Sequence, residues 1–257
     1  MPHRLNALPH PAILAHRGAS RYAPENTLAA FQLAVEQQAD GVELDVRLSA
    51  DGHLVVIHDA TVSHTTNGKG WVAGLTLAEL RKLEAGSPPA WAGQGFPPQA
   101  IPTLDEVFET LGKRLLINVE LKPLVRHAKI LAEKVAQTIQ RHQVQDVVIC
   151  SSFSPSALNA LAQYAPEVPR GLLLPSGYIP SRLAALAGRK VAYTTLHPDY
   201  QDVLRGTFPL SPQARTTRPG VFAYTVNGEE EMEALFKAGI DGIFTDDPPL
   251  ARRVRGF

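Results

Sequence analysis

Short apolar runs recur along the chain, separated by segments with helical periodicity. The runs fall at residues 12–18, 42–48, 115–122, 147–153, 171–174, 191–197, 221–227 and 242–246. Brief runs rich in branched residues and bounded by turn formers predict strands. A ninth run at 54–58 follows Ser49-Ala-Asp-Gly52, and Asp-Gly between apolar runs predicts a hairpin. Leu28, Phe31, Ala34 and Val35 share one helical face, as do Met232, Leu235, Phe236 and Gly239. Asn26 or Thr27 is placed to cap the first of these helices. Asp247-Pro248 opens the last with an N-cap and an N1 proline.

Eight strand–helix alternations in 257 residues predict an α/β fold, a (β/α)8 TIM barrel. A single barrel domain is expected over residues 1–257. Residues 59–100 break the rhythm with many Gly and Pro residues, Trp71, Trp91 and a short helical pattern at 77–83. They read as a small insertion after the second strand and its hairpin, lying over one end of the barrel. The Pro-rich stretch 208–219 is a second long connection.

The alternation within two strands carries chemistry. In Gly41-Val-Glu-Leu-Asp-Val-Arg-Leu48, Val42, Leu44, Val46 and Leu48 share one face, and Glu43, Asp45 and Arg47 share the other. The apolar face belongs against the helices, which turns Glu43 and Asp45 inward. In Asn118-Val-Glu-Leu-Lys122 the same logic turns Asn118, Glu120 and Lys122 inward. A barrel interior is normally filled by branched apolar side chains. Three acids sent in by adjacent strands need compensation, because buried like charges are costly. Local ion pairs, Glu43–Arg47 or Glu120–Lys122, are one solution. A divalent cation is the better one, and an all-oxygen donor set points to Mg²⁺ or Ca²⁺.

His16 and His58 end strands at the same rim. Two imidazoles beside a bound phosphate suit proton donation and acceptance near neutral pH. Arg17 and Lys122 suit an anion, and Gly18 admits close backbone approach. Together these parts point to phosphoryl transfer. His197, at a strand end before a proline, is a further candidate for the rim. A carbonyl-lyase type of barrel needs a Schiff-base lysine, and Lys122 is the sole lysine among these inward residues.

Composition narrows the partners. Formal net charge is zero and no Lys/Arg cluster forms a stripe, so no nucleic-acid partner is expected. No apolar stretch approaches 18 residues, so no stable membrane insertion is expected. The single cysteine, Cys150, lies in an apolar run and reads as a buried hydrophobe, compatible with a reducing compartment. Prolines and histidines interrupt residues 1–16 where a secretion signal needs an apolar core, so a cytoplasmic location is expected.

Ten short motifs, in order between about residues 12 and 249, carry a likeness. They are His16-Arg-Gly, Pro24-Glu-Asn-Thr, Glu43-Leu-Asp-Val, Asp51-Gly, Val56-Ile-His-Asp, Thr65-Thr-Asn-Gly, Ile101-Pro-Thr-Leu-Asp-Glu-Val, Asn118-Val-Glu-Leu-Lys, Ser152-Phe and Thr245-Asp. In them the chain resembles the glycerophosphodiester phosphodiesterase family of the bacterial, cytoplasmic type. The resemblance implies hydrolysis of glycerophosphodiesters to an alcohol and sn-glycerol 3-phosphate. It assigns Glu43, Asp45 and Glu120 to a divalent cation, Mg²⁺ or Ca²⁺, and His16 and His58 to acid–base catalysis. Arg17 and Lys122 would hold phosphate, with Glu25 and Asn26 supporting the site from behind. Phe153 and Trp71, with Trp91 and Phe96, could wall the substrate. Where relatives often carry Asp-Arg before the Thr-Thr-Asn-Gly loop, this chain has Ser63-His64. The alternative within the same chemistry is a lysophospholipase D type of activity, which needs a greasy entrance; the lack of a basic amphipathic helix favours small water-soluble diesters.

Overall fold

The computed structural model describes residues 3–86, 97, 99–124, 127–177, 193–210 and 220–256. Its strands are β1 (Ala12–Ala15), β2 (Gly41–Leu48), β3 (Leu54–Val56), β4 (Leu116–Leu121), β5 (Val148–Ser152), β6 (Arg170–Leu173), β7 (Thr195–His197), β8 (Gly220–Ala223) and β9 (Gly242–Thr245). All but β3 run parallel. They follow the order β1-β9-β8-β7-β6-β5-β4-β2, and the β1–β2 pairing closes the barrel. β3 lies antiparallel on β2, as the Asp-Gly turn predicts. The expected TIM barrel is therefore the observed one.

Helices α1 (Leu28–Glu36), α2 (Leu77–Leu80), α3 (Leu104–Leu111), α4 (Ala128–His142), α5 (Pro155–Tyr164), α6 (Tyr200–Leu204), α7 (Glu229–Lys237) and α8 (Pro248–Arg255) fill the connections. Their starts are chemically marked. Thr27 caps α1 through the Ala30 amide, and Asp247 caps α8 through the Leu250 amide ahead of an N1 proline. Thr103 and Glu106 form a reciprocal capping box on α3.

Strand alternation divides the apolar residues into two shells. Val42, Leu44 and Val46 of β2 and Ile117, Val119 and Leu121 of β4 pack outward against Phe31, Phe108, Leu131 and Val135. Inside the barrel, Ala12, Leu14, Leu116, Ile149, Phe222 and Phe244 form an apolar floor. Above that floor the inward positions turn polar. Cys150 faces the helix side on β5, where burial pushes its thiol up, consistent with a packed hydrophobe.

After β3 the chain builds a small cluster of its own, in which Val62, Val72 and Leu80 pack on Val55, Ile57 and Ile101. The expected helix at 77–83 is a single turn, α2, with its own capping box from Thr76 and Glu79. Trp91 and Phe96, residues 191–192, and residues 211–219 of the second long connection lie outside the described residues. Among the described residues no helix is long and apolar enough to cross a membrane.

Candidate active site

The three acids meet because β2 and β4 pair in register. Asp45 lies opposite Glu120, and Glu43 opposite Asn118. All three carboxylates are buried in the barrel mouth, with 3%, 1% and 7% of Glu43, Asp45 and Glu120 exposed. One oxygen from each lies within 4.8 Å of the others. Oxygens on one cation can stand apart by up to twice a metal–oxygen bond, about 4–5 Å, so the spacing fits a single ion. Glu43 Oε2 accepts from the Arg17 amide at 3.0 Å, while the buried Glu43 Oε1 has no hydrogen-bond partner. A buried oxygen without a partner is costly, and a hard cation would satisfy it.

Two basic side chains offset part of this charge. Lys122 Nζ lies 2.7 Å from Glu120 Oε1 and 3.3 Å from Asp45 Oδ1. Arg17 Nη1 donates to both oxygens of Glu25 at 3.0 Å, and its Nε lies 3.5 Å from Asp45 Oδ2. Glu25, Glu43, Asp45 and Glu120 all ionised carry four negative charges against the two positive charges of Arg17 and Lys122. Arg47, on the same face of β2, acts on Asp45 and Glu120 as well, and even so the acids are only partly compensated by the chain's own cations. Without an ion the acids titrate apart. Burial, Asp45 and Glu120 push Glu43 well above the usual carboxylate range. Burial and Asp45 push Glu120 up to about 7. Burial acts on Asp45 in the same direction, but Lys122 and Arg17 override it and hold Asp45 well below its ordinary value.

The turn after β1 supplies the flank. Arg17, Gly18 and Asn26 all adopt positive φ, at 55°, 84° and 57°. This curls 16–27 back over the strand ends, and the Asn26 amide bonds Arg17 O at 2.9 Å. Asn26 Nδ2 donates to Asp45 Oδ2 at 2.9 Å, and Asn26 Oδ1 accepts from the Asp45 amide at 3.2 Å. Asn26 thus braces Asp45, and the helix cap falls to Thr27. Glu25 braces Arg17.

Both histidines reach the same rim. His16 Nδ1 lies 2.7 Å from Asp246 Oδ1, and His58 Nδ1 lies 2.7 Å from Asp59 Oδ1. Asp246 also accepts from Ser20 Oγ at 2.9 Å and from Asn227 Nδ2 at 2.6 Å. Burial would raise Asp246, but the bond and charge of His16 with the bonds from Asn227 and Ser20 together outweigh it and hold the group at about 2. Burial lowers His58 against the opposing pull of Asp45. His64 sets Nδ1 3.2 Å from Asp59 Oδ2. Spacing and composition point to no role for Asp59, Asp246, Ser20 or Asn227. Two of them were visible as the ends of the motifs Val56-Ile-His-Asp59 and Thr245-Asp246.

His16, Arg17, Glu43, His58, Asn118, Glu120, Lys122, Ser151, Phe153 and Tyr224 line one cavity of about 220 Å³. Phe153 is half-exposed beside it. Its ring stands edge-on to Tyr224 at 5.9 Å, with Lys122 Nζ 5.8 Å from its centre. Trp71 is exposed and lines a neighbouring hollow with Arg47, Lys122 and Pro123. His197 lines the same cavity from inside the barrel, not from the exposed rim. It is buried against Phe222 and Phe244, with ring centroids at 5.8 and 5.0 Å, and burial pushes it down to about 3.

Known proteins resemble this chain over most of its length. Residues 16–250 match the model of the glycerophosphoryl diester phosphodiesterase family. A glycerophosphodiester phosphodiesterase of Caldanaerobacter subterraneus subsp. tengcongensis is 44% identical over 237 residues, covering 92% of this chain and 94% of that protein. One from Bacillus subtilis is 34% identical, covering 94% and 85%. Among solved structures, an Oleispira antarctica phosphodiesterase in complex with the product sn-glycerol-3-phosphate superposes with a TM-score of 0.83. It is 30% identical, and 99% of each chain is covered. A Thermotoga maritima glycerophosphodiester phosphodiesterase gives 0.73 at 30% identity, covering 96% and 99%. The chain is an enzyme of the glycerophosphoryl diester phosphodiesterase family.

Proposed function

We propose that this enzyme hydrolyses glycerophosphodiesters to an alcohol and sn-glycerol 3-phosphate, with a divalent cation, Mg²⁺ or Ca²⁺, held by Glu43, Asp45 and Glu120. One observation carries the reading: the acid trio, with its unpartnered Glu43 oxygen, opens into the cavity lined by His16 and His58. The ion would supply Lewis-acid polarisation of a phosphoryl oxygen.

The rest is done by the chain. Lys122 and the Arg17 guanidinium face the cavity and hold the phosphate by charge, Lys122 as a compact ammonium and Arg17 as a fork already aligned by Glu25. With Nδ1 of each histidine engaged by a carboxylate, Nε2 is the nitrogen left to exchange protons with substrate. One imidazole takes the proton of the attacking oxygen, water or a substrate hydroxyl, and the other protonates the leaving alkoxide. Glu25 and Asn26 keep Arg17 and Asp45 in place. Phe153 offers an apolar wall next to Lys122, and Trp71 a second one outside the cavity.

The test is hydrolysis of a panel of small diesters, with glycerophosphocholine first, with and without chelator. His16→Ala and His58→Ala are each expected to lower kcat by about 10²–10⁴-fold while cation binding persists. Near-normal rates in both would reject the acid–base roles. Higher kcat/KM on lysophosphatidylcholine than on glycerophosphocholine would move the reading to a lysophospholipase D activity.

A further inference from the structure

Each histidine of the site has a carboxylate of its own. Asp246 stands at the end of β9, next to the end of β1 that carries His16. Asp59 directly follows His58. Neither aspartate belongs to the acid trio, and neither lines the cavity. Both act from behind the rings.

Their own bonding shows how firmly they are set. Asp246 receives three side-chain donors, from His16, Ser20 and Asn227, and its backbone amide donates to Asn227 Oδ1 at 2.9 Å. Turning the carboxylate would break at least one of the three side-chain bonds. Asp59 divides its oxygens between His58 at 2.7 Å and His64 at 3.2 Å. An ionised carboxylate can only accept, so Nδ1 of each catalytic ring carries its proton. A free imidazole exchanges its proton between both nitrogens and rotates. A ring held through Nδ1–H has one tautomer and one direction.

We propose that Asp246 and Asp59 are positioning residues of the reaction, one for each histidine, fixing Nδ1–H behind and Nε2 toward the substrate. The proposal rests on the acid–base reading above and deepens it. The same device serves both half-steps. As the new O–P bond forms, Nε2 of one ring takes the attacking oxygen's proton, and the carboxylate behind it stabilises the resulting imidazolium. As the P–O bond to the alcohol breaks, Nε2–H of the other ring gives up its proton and leaves a neutral imidazole. The rings end with exchanged protonation, and solvent restores them.

The experiment compares Asp246→Asn, Asp59→Asn and the conservative Asp246→Glu and Asp59→Glu with wild type on glycerophosphocholine. Each Asn variant is expected to lower kcat by about 10²–10⁴-fold, with KM within about threefold. Each Glu variant is expected to recover part of the loss. In proton NMR of the chelated protein, each Asn variant is expected to lose the downfield Nδ1–H signal of its own histidine and keep the other. Removing the Asp59 carboxylate also makes the His58 imidazole less basic, so one limb of the pH–kcat/KM profile of the Asp59 variant moves to lower pH. A displaced acidic limb marks that ring as the base, and a displaced basic limb marks it as the acid. Of the charges acting on His58, namely Asp45, Arg17, Lys122 and Asp59, the Asp59 substitution changes the last alone. Where an Asn variant melts early, its Glu counterpart carries the comparison. An active wild type whose Asn variants keep kcat within about threefold, or lose it with both limbs and both signals unmoved, overturns the positioning roles. A wild type inert toward every diester overturns the acid–base reading and this proposal together.

Discussion

At the scale of single residues, Asn26 meets two demands that few side chains meet together. It tolerates a left-handed backbone, and its amide both donates to and accepts from Asp45. Asn26→Ala leaves the Asp45 amide and one carboxylate oxygen short of partners in a buried place. It also leaves alanine in the left-handed region, which asparagine tolerates better through its polar side chain. The expected cost is about 2–4 kcal/mol, and Asn26→Gly should cost about 1 kcal/mol less. Urea unfolding of the two variants checks both the size and the order. Equal stability of Asn26→Ala and wild type would mean that the brace is idle.

This residue also marks what sequence could and could not reveal. The inward turn of Glu43, Asp45 and Glu120 follows from parity alone, since a period of two leaves no other face once Val42, Leu44 and Val119 are placed against helices. The choice between capping α1 and bracing Asp45 does not follow from parity. Asn26 and Thr27 are both cap formers, and the division between them depends on a loop fold that local spacing does not encode. The pairing of His16 with Asp246 spans 230 positions and exists because barrel closure sets β1 beside β9.

At the scale of elements, the turn from β1 into α1 is the tightest fit. Gly18 has φ 84°, and a Cβ there would come within 2.7 Å of Ala30 atoms in α1. The Ala19 amide bonds Ala30 O at 3.0 Å, so the turn cannot back away without breaking its contact with the helix. Gly18→Ala combines a left-handed alanine with overpacking and is expected to lose about 2–5 kcal/mol. It should also lower kcat/KM by displacing Arg17. A variant with wild-type melting and activity would show that the turn relaxes freely. Element types were readable from periodicity and turn chemistry, including the hairpin into β3 and both capped helices. Ends were less so. The run at 221–227 is apolar enough for a long strand, yet β8 stops at Ala223, beyond which Tyr224 bridges to Asp199 and Asn227 turns to hold Asp246. Tertiary hydrogen bonds override the local preference there.

At the scale of the whole molecule, the barrel surrounds its polar mouth with packed apolar layers, and this is why an uncompensated charge in the mouth matters to global stability. The linkage has two signs. Glu43 and Glu120 are raised in the folded chain, so their contribution is fully present below the ordinary carboxylate range and is lost as pH rises, for Glu120 through about 7. His58 and His197 are lowered, so their contribution is present above the ordinary imidazole value and is lost as pH falls, for His197 toward about 3. The metal-free protein is therefore expected to be most stable at intermediate pH, around 6, and to weaken on either side. A cation competes with protons for the same oxygens, so its stabilising effect should grow as pH rises.

The central claim is that Glu43, Asp45 and Glu120 form one divalent-cation site, and the most direct measurement is the melting temperature of chelator-stripped protein at pH 8 and pH 5.5, with and without Mg²⁺ or Ca²⁺. The expected result is a saturable rise in melting temperature at pH 8 that shrinks at pH 5.5 and disappears in Glu43→Gln. A melting temperature at pH 8 that neither ion moves, or an equal rise in Glu43→Gln, would contradict the account.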